Sequence, residues 1–270
     1  MKKMLKSRRG VSSIISTLVI FTVMVSALGL AFSQIIPSLE RFQTQSDLTA
    51  ATNTFLAFDS EIKTLINTPD NSSSVIRYNL DTGILDLKQN REISLMINSG
   101  GVALLNRSYF SGEIEYKIEG NFAGLGGAIY DFGSPLLLVY SLNRTAQMMN
   151  IVHQTSDGYK SIQLYYSVFV SIENTSETDV EVNFMIIHLN TSKSTDGQGE
   201  YFPIINTQDK IQIVKLSQII ESIYLGEQND ELTVEAQTTG FSQNIAYTLA
   251  PPVFSLTVNI IHINIDFRTA

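Results

Sequence analysis

Three histidines, five glycosylation sequons, one glycine-rich stretch and no cysteine make up the chemical repertoire of this 270-residue chain. His153, His188 and His262 have no ligand partner at i+2 or i+4, and the last two lie inside apolar runs. Each reads as a satisfied structural histidine, so no metal is expected. Gly124, Gly126 and Gly127 suggest a phosphate loop, but no Lys-Ser/Thr follows them and no strand leads into a helix there. No serine sits in a nucleophile elbow, and Asp230-Glu231 and Asp179 with Glu181 read as solvated faces. The absence of cysteine excludes disulfides, structural zinc and thiol catalysis. The expectation is a protein without catalytic residues or cofactor. What remains is modification. Asn71, Asn106, Asn143, Asn174 and Asn190 each begin an Asn-x-Ser/Thr triplet without proline, at or near an expected loop or strand end.

Charge narrows the partners. Five of the 18 basic residues fall in the first ten positions, leaving 13 against 26 acidic residues in the rest. A body that acidic repels phosphate backbones, so nucleic acid is not an expected partner.

Strands are the elements that would present the sequons. From Val75 onward the pattern has period two, as in the alternating SLTVNIIHINID of 255–266. Val75–Leu80 and Ile84–Leu87 flank Asp81-Thr82-Gly83, a hairpin signal, and Glu92–Ile97 and Val102–Leu105 flank Asn98-Ser99-Gly100-Gly101 in the same way. Glu113–Ile118, Leu136–Tyr140, Gln163–Ile172, Val180–His188, Leu232–Ala236 and Phe254–Phe267 read as further strands. Leu216, Ile219, Ile220 and Ile223 have helical spacing and make Ile211–Leu225 a short helix. The class is α+β, with a mainly antiparallel, sandwich-like β domain over 72–270.

Two helical segments precede that domain. Leu48, Ala51, Phe55, Phe58, Ile62 and Leu65 recur at spacings of 3 and 4, one apolar stripe on an amphipathic stalk over 37–68. Thr68-Pro69-Asp70-Asn71 stops it, and Pro37 marks a kink or interruption at its start. Before it, residues 11–36 hold no charge and exceed the roughly 20 apolar residues that span a bilayer. Basic residues at 1–10 place the N-terminus inside the cell and the body outside. Small residues four apart (Ser12/Ser16, Ser13/Thr17, Thr22/Ser26, Ala27/Ala31, Gly29/Ser33) permit close helix packing in lipid.

Three readings of this segment stand side by side: a secretory signal cut near Gly29-Leu30-Ala31, an uncleaved anchor, or a leader cut before the apolar run. The third rests on Arg8-Arg9-Gly10-Val11-Ser12-Ser13, two basic residues and a glycine before an abrupt apolar start. Residues 6–40 resemble the class III signal of archaeal type IV pilins and archaellins. Ile15 stands where bacterial pilins carry a glutamate, which matches the archaeal pattern. GEIEYKIEGNFAGLGGAIYDFGSPLLLV at 112–139 is similar to a strand and glycine-rich hairpin of archaeal pilin-like proteins. The resemblance implies cleavage between Gly10 and Val11 by a prepilin peptidase and a homo-oligomeric filament assembled through the helix. A glycosylated β exterior that can serve in adhesion goes with it. The alternative is a membrane-anchored β protein that does not polymerise, an assembly accessory or surface binding module.

Overall fold

The computed structural model describes residues 5–78, 80, 83–120, 122, 127–140, 148–176, 178–191, 202–204, 210–228, 231–238, 241–247 and 253–269. Two compact units meet at Asp47/Leu48. One long helix, α1 (Leu5–Ile66), contributes to both. In the first unit α1 runs through Pro37. This corrects the expected interruption. Proline removes one backbone donor, the i+4 partner of the Ser33 carbonyl, and the 62-residue helix continues on either side of that single loss.

In the second unit the rest of α1 is followed, among the described residues, by fourteen strands: β1 (Ser73–Arg77), β2 (Ile84–Ser99), β3 (Val102–Glu119), β4 (Gly127–Phe132), β5 (Leu138–Tyr140), β6 (Met149–Ser156), β7 (Tyr159–Tyr166), β8 (Val168–Asn174), β9 (Asp179–Thr191), β10 (Phe202–Ile204), β11 (Lys210–Gln228), β12 (Leu232–Thr238), β13 (Phe241–Tyr247) and β14 (Val253–Thr269). One sheet has the order β1-β11-β14-β9-β8-β5. The other runs β13-β12-β2-β3-β7-β6-β4, with β10 beside β2. Pairing is antiparallel except at β9–β14 and β5–β8. The protein is α+β.

The stripe on α1 explains its docking. Ala51, Phe55, Phe58 and Ile62 are fully buried, and Leu48 and Leu65 nearly so. Each large side chain contributes about 1.5–3 kcal/mol by leaving water. Phe58 meets Phe267 of β14 edge-on, with ring centroids 5.7 Å apart. Polar contacts orient the helix. The Tyr166 hydroxyl donates to Asp59 Oδ1 at 3.1 Å, and Lys63 Nζ lies 2.6 Å from Oδ2. Burial and the Asp59 charge hold the Tyr166 phenol well above its ordinary value. The helix end is capped from β11. Buried Lys215 donates to the carbonyls of Ile66 at 2.9 Å and Thr68 at 2.7 Å, which would otherwise lack donors.

The two sheets enclose two apolar clusters, one containing the helix stripe and one without it. Thirteen consecutive pairs, Ser255 beside Asp179 through Phe267 beside Thr191, join β14 to β9 without a bulge. Along this ribbon Val180, Val182, Phe184, Leu256, Val258 and Ile260 face the helix-free cluster. Farther on, Ile187, Leu189, Ile263, Ile265 and Phe267 face the other. The first set is even-numbered and the second odd, so opposite faces of one ribbon serve the two cores. β3 crosses the ribbon at the changeover. A Cβ on Gly112 would lie 2.2 Å from the Leu189 carbonyl oxygen, so only glycine permits this approach.

Several expected elements differ. β11 is a strand, not a helix. Its apolar residues do not alternate, because adjacent, exposed Ile219 and Ile220 lie on opposite faces, and a bulge between Lys215 and Ser217 breaks the period before them. Gln163–Ile172 is not one strand but β7 and β8, in different sheets. Between them Ser167 donates its N–H to Met148 O and its hydroxyl to Leu136 O at 2.6 Å, making a corner. Among the described residues the first expected hairpin does not form: β1 pairs β11, not β2, and Asp81 and Thr82 lie outside the described residues. The second is present. Gly100 (φ 56°) and Gly101 (φ 79°) form the two-residue, positive-φ turn that joins β2 to β3.

Candidate functional site

Of the two features with functional potential, the larger is the first part of α1. Fifteen large apolar side chains from Ile15 to Phe42 are each 49–76% exposed, and they point in every direction around the helix. A helix apolar all round is suited to lipid or to a bundle of like helices, not to water. This segment is long and apolar enough to cross a membrane. Arg8, Arg9, Gly10 and Val11 lie within α1, and no acidic residue occupies its first turn. A protease acting there must unwind the helix end, which costs little because helix termini fray.

The second feature is a histidine pair that the sequence did not disclose. β9 and β14 run in parallel and place His188 Nε2 2.9 Å from His262 Nδ1, with the rings stacked at 5.2 Å. His188 Nδ1 lies 2.7 Å from the Phe110 carbonyl oxygen, which accepts but cannot donate. His188 therefore carries its proton on Nδ1, and its Nε2 accepts from His262 Nδ1–H. The Tyr109 ring lies against His262, tilted by 51° with centroids 5.0 Å apart, and the Arg107–Glu221 ion pair (2.7 Å) is the nearby charge. Burial holds both imidazoles below their ordinary value. Their separation of 74 positions hides the pairing from any local motif. His153 instead meets Asp131 Oδ2 at 2.7 Å and Thr52 of α1 at 3.4 Å.

A pH dependence follows with a defined sign. Because the fold depresses both values, the unfolded chain takes up protons first as pH falls. The histidine contribution is intact above 6.5 and is lost below it. The thermal midpoint of the full chain in detergent should fall between about pH 7 and pH 5, and less steeply in His262→Gln. Asp86 and Glu113, which burial pushes up, act in the opposite sense, so the difference between variant and parent is the readout. Equal slopes would discount the pair.

Lysine and glutamate also meet inside the second unit. Lys88 pairs with Glu115, which also accepts from Gln163 at 3.2 Å. Burial pushes the Glu115 carboxyl up, but these partners outweigh it and hold it below the usual range. Among the described residues, no three His, Asp or Glu side chains gather as a metal site. Of the sequon asparagines, Asn71, Asn106 and Asn174 are exposed and Asn190 is half-buried near the end of β9. Asn143, Gly124, Gly126 and Asp230 lie outside the described residues. No known family, curated protein or solved structure matches the chain.

Proposed function

We propose that this protein is a structural subunit of an archaeal type IV pilus-like surface filament, not an enzyme. The observation that carries the reading is the exposed, all-round apolar stretch of α1 from Ile15 to Phe42. In a membrane, lipid covers it; in a filament, neighbouring copies of the same helix do. The small residues spaced four apart on this segment favour close helix contact in both settings. The β body then forms the exterior, with the exposed asparagines of its sequons available for glycans and its outer loops available for adhesion. A prepilin peptidase cutting after Gly10 would remove the basic leader and keep the helix.

Sequencing the N-terminus of the protein from its own cells is the test. The expected first residue is Val11. An intact Met1, or a start near Phe32, would reject this reading and favour the anchored or secreted alternatives. Filaments containing the protein, seen by electron microscopy of the same cells, distinguish a polymerising subunit from a membrane-anchored accessory.

A further inference from the structure

β11 is satisfied along one edge and open along much of the other. β14 pairs its inner edge from Ile211 to Gln228. On the outer edge β1 covers only Lys210–Val214. Among the described residues, no strand pairs the outer edge from Ser217 to Tyr224. Proteins usually blunt such an edge with lysine, proline or a covering segment, because open N–H and C=O groups recruit further strands. Here it carries Ile219, Ile220 and Tyr224, which are 55%, 58% and 68% exposed. The adjoining sheet surface is different. Ser222 donates to Asn259 at 2.6 Å, and Asn259 donates to Asn183 at 2.9 Å and to Glu181, a polar ladder suited to water. Apolar exposure is therefore concentrated at the edge and does not extend over the face.

We propose that this edge pairs with the same edge of a second copy, antiparallel about a two-fold axis through Ser222. The occupant follows from self-complementarity. That register sets Ile220 opposite Tyr224 of the second copy and Glu221 opposite its Ile223. β-branched residues facing aromatics are favourable cross-strand pairs, and no like charges stand opposite each other. The two Glu221 residues come diagonally close, but each is held by Arg107 of its own chain at 2.7 Å. The pairing is isologous and closes on itself, so it yields a dimer and not an open fibre. It joins the polar ladders of the two copies into one. It requires nothing of the apolar helix and is independent of the filament reading.

The absence of cysteine permits a direct test. Opposed residues in antiparallel strands have Cα atoms about 4.5–5.5 Å apart, within the disulfide window of about 4.4–6.8 Å. Ser222→Cys in the full chain, solubilised in detergent and mildly oxidised, should run mainly as a dimer on a non-reducing gel. Ser176→Cys, exposed beyond the end of β8, should stay monomeric. Adding Ile220→Lys to Ser222→Cys should cut the cross-linked fraction about tenfold, because it removes the Ile220–Tyr224 pair at both of its places in the dimer and puts a solvated charge on the edge. Adding Val19→Asp, which disturbs the helix alone, should leave cross-linking unchanged. The proposal is overturned if Ser222→Cys dimerises no more than Ser176→Cys, or if Ile220→Lys has no effect. A disulfide to a different protein would also overturn it.

Discussion

Gly112→Ala should lower the thermal midpoint of the full chain by roughly 10 °C, a loss of about 3 kcal/mol for a body of this size. The added methyl would lie 2.2 Å from the Leu189 carbonyl oxygen and 2.8 Å from its Cβ. The obstacle is mostly backbone, so no rotamer change relieves it. Separating β3 from β9 to make room would also pull the Ser111 hydroxyl from the Ile187 carbonyl, now at 3.3 Å. Gly29→Ala is the control, since nothing lies within 4 Å of a Cβ there. Thermal melts of the three proteins in one detergent decide the matter. An unchanged midpoint for Gly112→Ala would mean that the sheets do not approach this closely.

The second large effect concerns assembly. Val19, 54% exposed, lies within the apolar run. An aspartate near a bilayer centre costs about 2.5–3.5 kcal/mol on insertion scales. The surrounding run has enough hydrophobicity to absorb that, so Val19→Asp should still fractionate with membranes. In a helical bundle the same charge would recur in every subunit, without water and against close neighbours. If the filament reading holds, cells expressing the variant should carry membrane protein and no filaments. Filaments of normal length in the variant would remove the helix from the assembly core.

The parts of the fold legible in the sequence were those set by local physics. The stripe from Leu48 to Leu65 required only helical geometry and a core to face, and every member is buried. Gly100-Gly101 announced a hairpin because a two-residue turn of that type needs positive φ at both positions. Long-range or compensated features were not legible. Adjacent Ile219 and Ile220, exposed on opposite faces, disguised β11 as a helix, and the corner at Ser167 had no period of its own. The pairing of β1 with β11 overrode a plausible turn. His188 and His262 looked separately inert because their meeting depends on the β9–β14 register. The apolar segment of α1 was evident at once, since a membrane-length run is a property of composition.

The β9–β14 ribbon also bears on how the protein comes to be folded. Its partners are 76 positions apart in the chain, and parallel pairing over that distance incurs the entropy of a large loop before any contact repays it. Neither apolar cluster can close until β14 arrives, because β14 supplies a wall to both. A chain synthesised helix-first would thus wait, with β1 to β13 already made, for its last described strand. During that interval the edges of β9 and β11 that β14 will fill are open to other chains. Synthesis of this protein therefore has a vulnerable window, which ends only when residues 253–269 have emerged.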